Sequence, residues 1–391
     1  MKNLVRKRVI NDESTALRLK YRPYYHHFER QEGCRVWLEG RELIQLSSND
    51  YLGLNQHPKV IEAGQKALKK WGASSTGSRI SNGGRVYHRR LEEKLADFLG
   101  TQDCHIHAAG YLSCMSSVQG LAARNDLVLA DRNIHSSLWS GIGMSRARVE
   151  KFSHNDPISL LRAVELESPD RAKLLVFEGV YSMEGHIAPL PKFLEIAKKH
   201  DLFTIMDDAH GVGVIGETGR GTAEHFDCLG KVDLICGSLS KAMATTGGYV
   251  GGDKELVEYM RTHSKQTIFS AAISPAQAAC AEAALELITT EPEHLIRLRE
   301  NTKHYKDGLE KLGIDTWGSQ TAAVPLVIGD KVKAYRIWEE LIAQGVFTTI
   351  SLPPSVPPKK ELLRTAISAA HTTEDIDQGL DRLADAFNKF S

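Results

Sequence analysis

The sequence predicts an α/β protein with a mostly parallel central sheet, helices on both faces and a smaller C-terminal α/β domain. The main observation is alternation. From residue 103 onward, short apolar runs typical of buried strands alternate with stretches of helical spacing. The second is length, because 391 residues are more than one compact core usually holds. We expect an N-terminal arm and hairpin over 1–46, a large ligand-binding domain over 47–290 and a small domain over 291–391.

Composition argues against several classes of partner. The chain carries 49 lysines and arginines against 49 aspartates and glutamates, so no excess charge attracts nucleic acid or an anionic membrane. No apolar run is long enough to predict a transmembrane segment, and the basic N-terminus lacks the apolar core of a secretory signal. The six cysteines show no paired spacing, so we expect reduced thiols in a cytoplasmic protein and no metal site.

Local patterns predict the individual elements. Two alternating runs predict a hairpin over 35–46, and apolar spacing predicts helices over 58–71 and 88–99. The small polar residues 72–84 between these helices form a loop long enough to indicate a function. Further strands are predicted over 103–107, 127–130, 174–177, 202–206 and 232–236. Further helices are predicted over 110–123, 157–166, 190–200 and, as two long stretches, 275–312.

Residues 232–248 hold the chemically most informative lysine. The apolar strand over 232–236 leads into a polar turn, and Lys241 follows directly, before a small-residue stretch and a second apolar strand. A lysine is costly to bury unless it has a partner or a chemical use. On this stretch alone, a solvated lysine and a lysine that carries a Schiff base are equally good interpretations.

In open α/β sheets, ligands bind beyond the carboxyl ends of the strands, so the residues that follow each strand are the candidate site. Gly110 and Tyr111 follow the first strand at a helix start, where free N–H groups favour a phosphate. His135 follows the next strand and could stack on a planar ring, although an ordinary solvated histidine is the commoner case. Asp207 ends a buried stretch, where a carboxylate is expensive unless it faces a cation. Asp208 beside it fits a helix cap equally well.

The segment after 174–177 adds a carboxylate and a hydroxyl to this set. No single residue decides the chemistry. Together, a phosphate cradle, a ring-stacking group, a hydroxyl, an acid and a Schiff-base lysine are the groups that pyridoxal phosphate needs.

Longer motifs carry a family resemblance. They are SSNDYLGL at 47–54, GSR at 77–79, EGVYSMEG at 178–185, DDAHGVGVIGETGRG at 207–221, GSLSKAMATTGG at 237–248, IFSAAISPA at 268–276 and LLRTAISAAHT at 362–372. With these motifs, the chain resembles the α-oxoamine synthases from about Gln45 to about Leu383. These enzymes are fold-type I pyridoxal-phosphate-dependent transferases, so the resemblance implies that the large domain binds pyridoxal 5'-phosphate.

The resemblance also implies roles around the cofactor ring. Lys241 matches the Schiff-base lysine, and Asp207 matches the aspartate that pairs with the pyridine nitrogen. His210 and Ser182 match residues that hydrogen-bond the phenolic oxygen of the ring. His135 matches the histidine that stacks on it. The implied catalytic set is Lys241, His135, Asp207 and His210.

Further residues match the family's phosphate and substrate contacts. The implied phosphate contacts are Gly110, Tyr111, Ser238 and, toward the neighbouring subunit of a homodimer with shared active sites, Ser270. Near the substrate carboxylate, Asn49 and Arg364 are the matching residues, and an arginine suits that task because it binds carboxylates in a bidentate way.

Three positions depart from the common pattern. Asp208 replaces the usual glutamate, Ala244 stands where glycine is frequent, and Ala271 stands where a second hydroxyl or amide is common. The last change implies the loss of one phosphate contact made across the dimer.

The implied activity is a decarboxylative condensation of a small amino acid (serine, alanine or glycine) with an acyl-CoA, which gives an α-amino ketone, CoA and carbon dioxide. The motifs favour a serine palmitoyltransferase-like specificity. An 8-amino-7-oxononanoate synthase and a 2-amino-3-ketobutyrate CoA ligase remain alternatives, and an aminotransferase on the same fold is a more distant one. A non-catalytic homologue without cofactor is disfavoured because only a Schiff-base role explains Lys241 well.

Overall fold

The computed structural model describes residues 4–6, 20–168 and 171–390. The predicted N-terminal arm therefore lies partly outside the described residues, over 1–3 and 7–19. Internal contacts divide the chain into two units. Unit 1 contains the chain up to Ser48, Asn301–Ser319 and Ala323–Ser391, and unit 2 contains Asn49–Glu300 and Gln320–Ala322.

The elements are numbered in chain order. The strands are β1 (Arg30–Glu32), β2 (Arg35–Leu38), β3 (Arg41–Gln45), β4 (Asp103–His107), β5 (Leu127–Asp131), β6 (Arg148–Phe152), β7 (Lys173–Glu178), β8 (Leu202–Asp207), β9 (Leu234–Ser238), β10 (Gly248–Gly252), β11 (Ala323–Val327), β12 (Val346–Phe347), β13 (Thr349–Ser351) and β14 (Leu362–Ala366). The helices are α1 (Pro58–Trp71), α2 (Val86–Leu99), α3 (Gly110–Gln119), α4 (Ser136–Ser145), α5 (Pro157–Glu165), α6 (Leu190–His200), α7 (Thr222–His225), α8 (Lys254–His263), α9 (Lys265–Ile268), α10 (Pro275–Thr290), α11 (Glu293–Lys311), α12 (Lys331–Ala343) and α13 (Thr373–Lys389).

Unit 2 is built on a seven-stranded sheet of order β4-β10-β9-β8-β7-β5-β6. Strand β10 runs antiparallel to both of its neighbours, and the remaining pairs are parallel. The predicted mostly parallel sheet is therefore confirmed. Because β5, β7, β8 and β9 are mutually parallel, their carboxyl ends meet at one edge, where the sequence placed the candidate site.

Most predicted elements of unit 2 are observed within a few residues. The helix α2 ends at Gly100, whose φ of 71° is the left-handed conformation that a C-terminal glycine supplies. The strand predicted over 232–236 begins two residues later, because the Asp233 carboxylate accepts hydrogen bonds from the N–H and hydroxyl of Thr204. Strand β6 was missed, since it is the polar edge strand of the sheet and lacks an apolar run.

Unit 1 contains two smaller sheets, of order β1-β2-β3-β12 and β11-β14-β13. The predicted hairpin is formed by β2 and β3, and its turn residues Glu39 and Gly40 both have positive φ, as a two-residue hairpin turn requires. A described residue of the arm packs within this unit: Tyr21 stacks on Tyr335 with ring centroids 4.7 Å apart.

Within the described ranges, no helix has the length and apolar character that crossing a membrane requires.

Candidate active site

Two buried carboxyl groups end neighbouring strands. Asp207 closes β8 and Glu178 closes β7, and the two residues are paired in the register of these strands. Both are almost fully buried, at 5% and 3% exposure. Neither forms a direct ion pair with a lysine or arginine in the described part of the chain. Burial and the neighbouring Asp207 and Glu184 hold the pKa of Glu178 well above its usual value. The two strand ends thus carry buried carboxyl groups that no lysine or arginine of the described ranges pairs with directly.

Two thiols lie beside Asp207. Cys114 of α3 and Cys236 of β9 each place a sulfur within 4.8 Å of an Asp207 carboxylate oxygen and of each other. Hydrogen bonding with Cys236, burial and the Asp207 charge raise the pKa of Cys114 well above its usual value. These thiols are therefore neutral and unreactive neighbours of the acid. Sequence reasoning missed them, because nothing in the spacing of Cys114 and Cys236 indicates that they meet.

The loop after β9 carries Lys241. It is held by backbone hydrogen bonds from Leu239 to Gly247 and from Ala244 to Lys241, at 3.0 and 2.9 Å. Ala244 has a φ of 55°, a conformation that favours glycine and explains why glycine is common there in the resembling family. Lys241 is half-buried, and its charge acts on both His135 and Glu178. The loop therefore brings the lysine to the edge where β7 and β8 end.

His135 lies at the start of α4. Its Nδ1 is 2.7 Å from the Ser137 hydroxyl and accepts the Ser137 N–H, so this residue caps the helix. The Tyr111 ring meets the His135 ring edge-on, with centroids 6.2 Å apart. Burial and the positive charge of Lys241 lower the pKa of His135, while the negative charge of Asp207 opposes this shift. The cap fixes the imidazole at the site. The lowered pKa favours its neutral form.

The start of α3 forms a concave donor site. Helix α3 begins at Gly110, and its cap residue Ala109 has no side chain that could accept the first N–H groups. The Ser238 hydroxyl lies against the same turn: a Cβ at position 110 would approach its oxygen to 2.6 Å. Glycine is therefore required at 110 for this close packing. Free N–H groups, a hydroxyl and the helix dipole are together suited to a phosphate.

His210 is positioned by a residue that sequence reasoning did not select. Its Nδ1 is 2.8 Å from the hydroxyl of Tyr51, and both side chains are buried. Tyr51 belongs to the SSNDYLGL stretch, so the motif held the signal although only Asn49 was chosen from it.

Asp208 has a different role from Asp207. Its carboxylate accepts hydrogen bonds from the N–H and hydroxyl of Thr222 at 2.7 and 2.6 Å, which caps α7. Three glycines enclose it, at 179, 211 and 221, where a Cβ would come within about 2 Å of its oxygens. Burial raises its pKa to about 6. The helix-cap interpretation therefore fits this residue.

The remaining predicted residues lie on other segments of the chain. Ser182 and Asn49 are half-buried, in the turn after β7 and at the start of unit 2. Ser270 precedes Ala271, which bridges to Ser78 of the 72–84 loop. Arg364 is buried in β14 of unit 1.

Known proteins resemble this chain in sequence and share its fold over nearly the whole length. The family profile described as aminotransferase class I and II matches residues 41–383. A serine palmitoyltransferase from Sphingobacterium spiritivorum is 36% identical over 366 residues, which are 94% of this chain and 92% of the relative. An 8-amino-7-oxononanoate synthase from Thermoanaerobacter pseudethanolicus is 37% identical over 353 residues, 90% of this chain and 89% of the relative. The chain belongs to the α-oxoamine synthase family.

The structural similarity agrees. A serine palmitoyltransferase from S. paucimobilis, described with a bound PLP-myriocin aldimine, aligns with a TM-score of 0.95 at 30% identity and covers 100% of this chain and 99% of its own. This α-oxoamine synthase thus has the predicted fold-type I architecture. Family membership also confirms the predicted enzyme class, an acyltransferase, and its cofactor, pyridoxal 5'-phosphate.

The residues of this α-oxoamine synthase fit that cofactor. Asp207 is a buried acid that lacks a cationic partner, and a protonated pyridine nitrogen is such a partner. The turn at Gly110 and Ser238 suits the phosphate dianion, and Lys241 suits the aldehyde. The three groups occupy one edge of one sheet.

Proposed function

We propose that this enzyme condenses a small amino acid with an acyl-CoA, with loss of carbon dioxide, to give an α-amino ketone and CoA, and that serine and a long acyl chain are its substrates. The observation that supports the reaction most strongly is the meeting of Lys241, His135 and Asp207 at one strand edge. We choose serine as the amino acid substrate because of relatives such as the serine palmitoyltransferase of Sphingobacterium spiritivorum and the motifs shared with such proteins.

Within this proposal, the cofactor is held by Lys241, Asp207, His135, Gly110, Tyr111 and Ser238. Bound there, pyridoxal phosphate supplies an electron sink for the negative charge that develops at the amino acid Cα. Asp207 keeps the pyridine nitrogen protonated through its buried negative charge. The free N–H groups of α3 and the Ser238 hydroxyl orient the phosphate. The helix cap on His135 holds its imidazole at the site.

Three side chains transfer protons or form hydrogen bonds in this proposal. The amine of Lys241, when it is not bonded to the cofactor, takes the proton from the substrate Cα and returns a proton to the product. His210 donates to or accepts from the phenolic oxygen of the ring, with its other nitrogen fixed by Tyr51. We assign Ser182 to the same oxygen.

For the amino acid substrate, we propose Arg364 and Asn49 as the carboxylate-binding residues. A guanidinium binds a carboxylate with two parallel hydrogen bonds, so Arg364→Lys should raise KM for the amino acid much more than it lowers kcat. We further propose a homodimer in which Ser270 reaches the phosphate of the neighbouring subunit. A fully active monomer in sedimentation analysis would contradict the dimer.

The substrates are tested by a matrix of acyl-CoA chain lengths against serine, alanine and glycine, with CoA release as the readout. We expect the highest kcat/KM for serine with palmitoyl-CoA. Lys241→Ala serves as the control, and should lose CoA release together with the visible absorbance of the cofactor Schiff base. Transfer of the amino group to a keto acid without CoA release would replace this proposal by an aminotransferase.

A second candidate is an 8-amino-7-oxononanoate synthase, favoured by relatives of equal similarity that carry this name. A preference for alanine with a pimeloyl thioester in the same matrix would select it. A preference for glycine with acetyl-CoA would select a 2-amino-3-ketobutyrate CoA ligase.

A further inference from the structure

A second group of ligand-type side chains lies outside the strand-end residues. His57 precedes α1, Glu291 follows α10, and His294 lies in the first turn of α11. Each offers one ligand atom, and the three atoms lie within 4.8 Å of one another. All three residues are half-buried in unit 2, so the cluster is open to an ion from solvent.

We propose that His57, Glu291 and His294 form a binding site for a borderline divalent cation, with Zn²⁺ as its representative. Two imidazoles and one carboxylate are a ligand set that Zn²⁺ accepts, with water in the fourth position. The Glu291 Oε2 and His294 Nε2 atoms are 3.7 Å apart, and the two imidazole centroids are 5.8 Å apart. Zinc bonds of about 2.0–2.2 Å separate tetrahedral ligand atoms by about 3.4 Å, so closure needs movements of about 1 Å.

The surroundings of the cluster orient its ligands. The His294 ring hydrogen-bonds the backbone carbonyl of Leu52, and such a bond to the second nitrogen is typical of metal-ligating histidines. Lys59 holds the other oxygen of Glu291, Oε1, at 2.6 Å, which leaves Oε2 toward His294. Two of the three ligands are thus already fixed by second contacts.

Three features oppose the cation, and all of them are weak. Lys59 and Arg297 add positive charge near the site. Lys59 is exposed, where solvent screens its charge. His57 Nδ1 accepts the Lys59 N–H at 3.3 Å, and ligation through either nitrogen gives up this cap contact, which is long and therefore inexpensive to lose.

Occupancy of this site would connect three segments of unit 2. His57 leads into α1, His294 begins α11, and Leu52 neighbours Tyr51, the residue that holds His210. A bound cation would therefore stabilise the loop that positions a candidate catalytic histidine. This role is structural and does not depend on which acyl-CoA the enzyme uses.

The test is calorimetric titration of the chelator-dialysed, full-length holoenzyme with Zn²⁺ at neutral pH. We expect one site per chain in the wild type, and an affinity at least about 10- to 100-fold lower in both His294→Gln and Glu291→Gln. His304→Gln is the matched control, because His304 is an exposed histidine paired with Asp377. It should retain the site.

Two further readouts make the result independent of activity. Zn²⁺ should raise the thermal midpoint of the wild type and of the control, but not of the two ligand variants. Co²⁺ should give a visible absorption spectrum of low-symmetry coordination that the ligand variants lack. Equal Zn²⁺ affinity in the wild type and both ligand variants would overturn the site, and so would a wild type that binds no Zn²⁺.

Discussion

Two buried acidic clusters in unit 2 differ in how their charge is balanced. In the first, Glu92 pairs with Arg79 through two hydrogen bonds of 2.7 and 3.1 Å and also accepts from His105. Asp103 beside it pairs with Arg89 and Arg261 at 2.8 and 2.6 Å. In the second, Asp207 and Glu178 have no such arginine or lysine in the described ranges.

The pKa values of Glu92 and Glu178 move in opposite directions. Burial opposes ionisation of Glu92, but the hydrogen bond from His105 and the paired Arg79 outweigh it and lower the pKa of this carboxyl. Burial and like charge raise the pKa of Glu178. A buried acid that the protein neutralises itself is structural, whereas one that it leaves uncompensated marks a place for a positively charged ligand. This difference distinguishes the strand ends at Asp207 and Glu178, where we propose that the cofactor binds, from an ion-pair network of similar composition.

The largest effect is expected at the uncompensated cluster. Asp207→Asn keeps the shape of the side chain but removes the charge that we propose faces the pyridine nitrogen. We expect kcat/KM for CoA release to fall by about 100- to 1,000-fold, the range that the loss of one partner of a buried ion pair implies. Circular dichroism should remain that of the wild type. A rate near the wild-type value would mean that Asp207 does not serve the cofactor.

At the compensated cluster, the same type of change should affect folding. The Glu92 carboxylate faces Arg79 at 2.7 Å and also Arg261 at 3.7 Å. Glu92→Gln removes this negative charge, which should lower the free energy of unfolding by about 3 kcal/mol. Urea denaturation measures this loss, and kcat of the folded enzyme should change little. A large fall in kcat with unchanged stability would contradict the structural role of this cluster.

The sequence predicted the sheet edge well because strand ends are local signals. Apolar runs located β5, β7 and β8, and the residues that follow them are brought together by parallel topology alone. Contacts between distant segments could not be predicted in this way. The thiols of Cys114 and Cys236 meet at Asp207, and Tyr51 meets His210 across 159 positions of the chain.

The neighbouring acid Asp208 sharpens the comparison, because it is buried and hydrogen-bonded but not paired with a cation. Its folded pKa of about 6 lies above its unfolded value of 3.8. The native state therefore binds more protons than the unfolded state between these values, so this group costs stability as the pH rises through about 6.

Asp208→Asn should remove this pH dependence. For the wild type, Asp208 contributes a loss of about 1 kcal/mol in the free energy of unfolding between pH 5 and pH 7. We expect the difference between these two pH values, measured by urea denaturation, to shift by that amount in the variant. An unchanged difference would show that the cap carboxylate titrates normally.

A small effect on catalysis is expected at Glu178, although it is the register partner of Asp207. Its raised pKa favours the neutral acid, which an amide resembles. Its oxygen accepts the backbone N–H of His135, and a glutamine oxygen can do the same. Glu178→Gln should therefore keep kcat/KM within about tenfold of the wild type, a difference of no more than about 1.4 kcal/mol. A comparison of the single variants Glu178→Gln and Asp207→Asn tests the same acid-to-amide change at two adjacent strand ends. A loss as large as that of Asp207→Asn would show that the cofactor edge needs two negative charges, because the second carboxyl would then be ionised and matched by a second positive group.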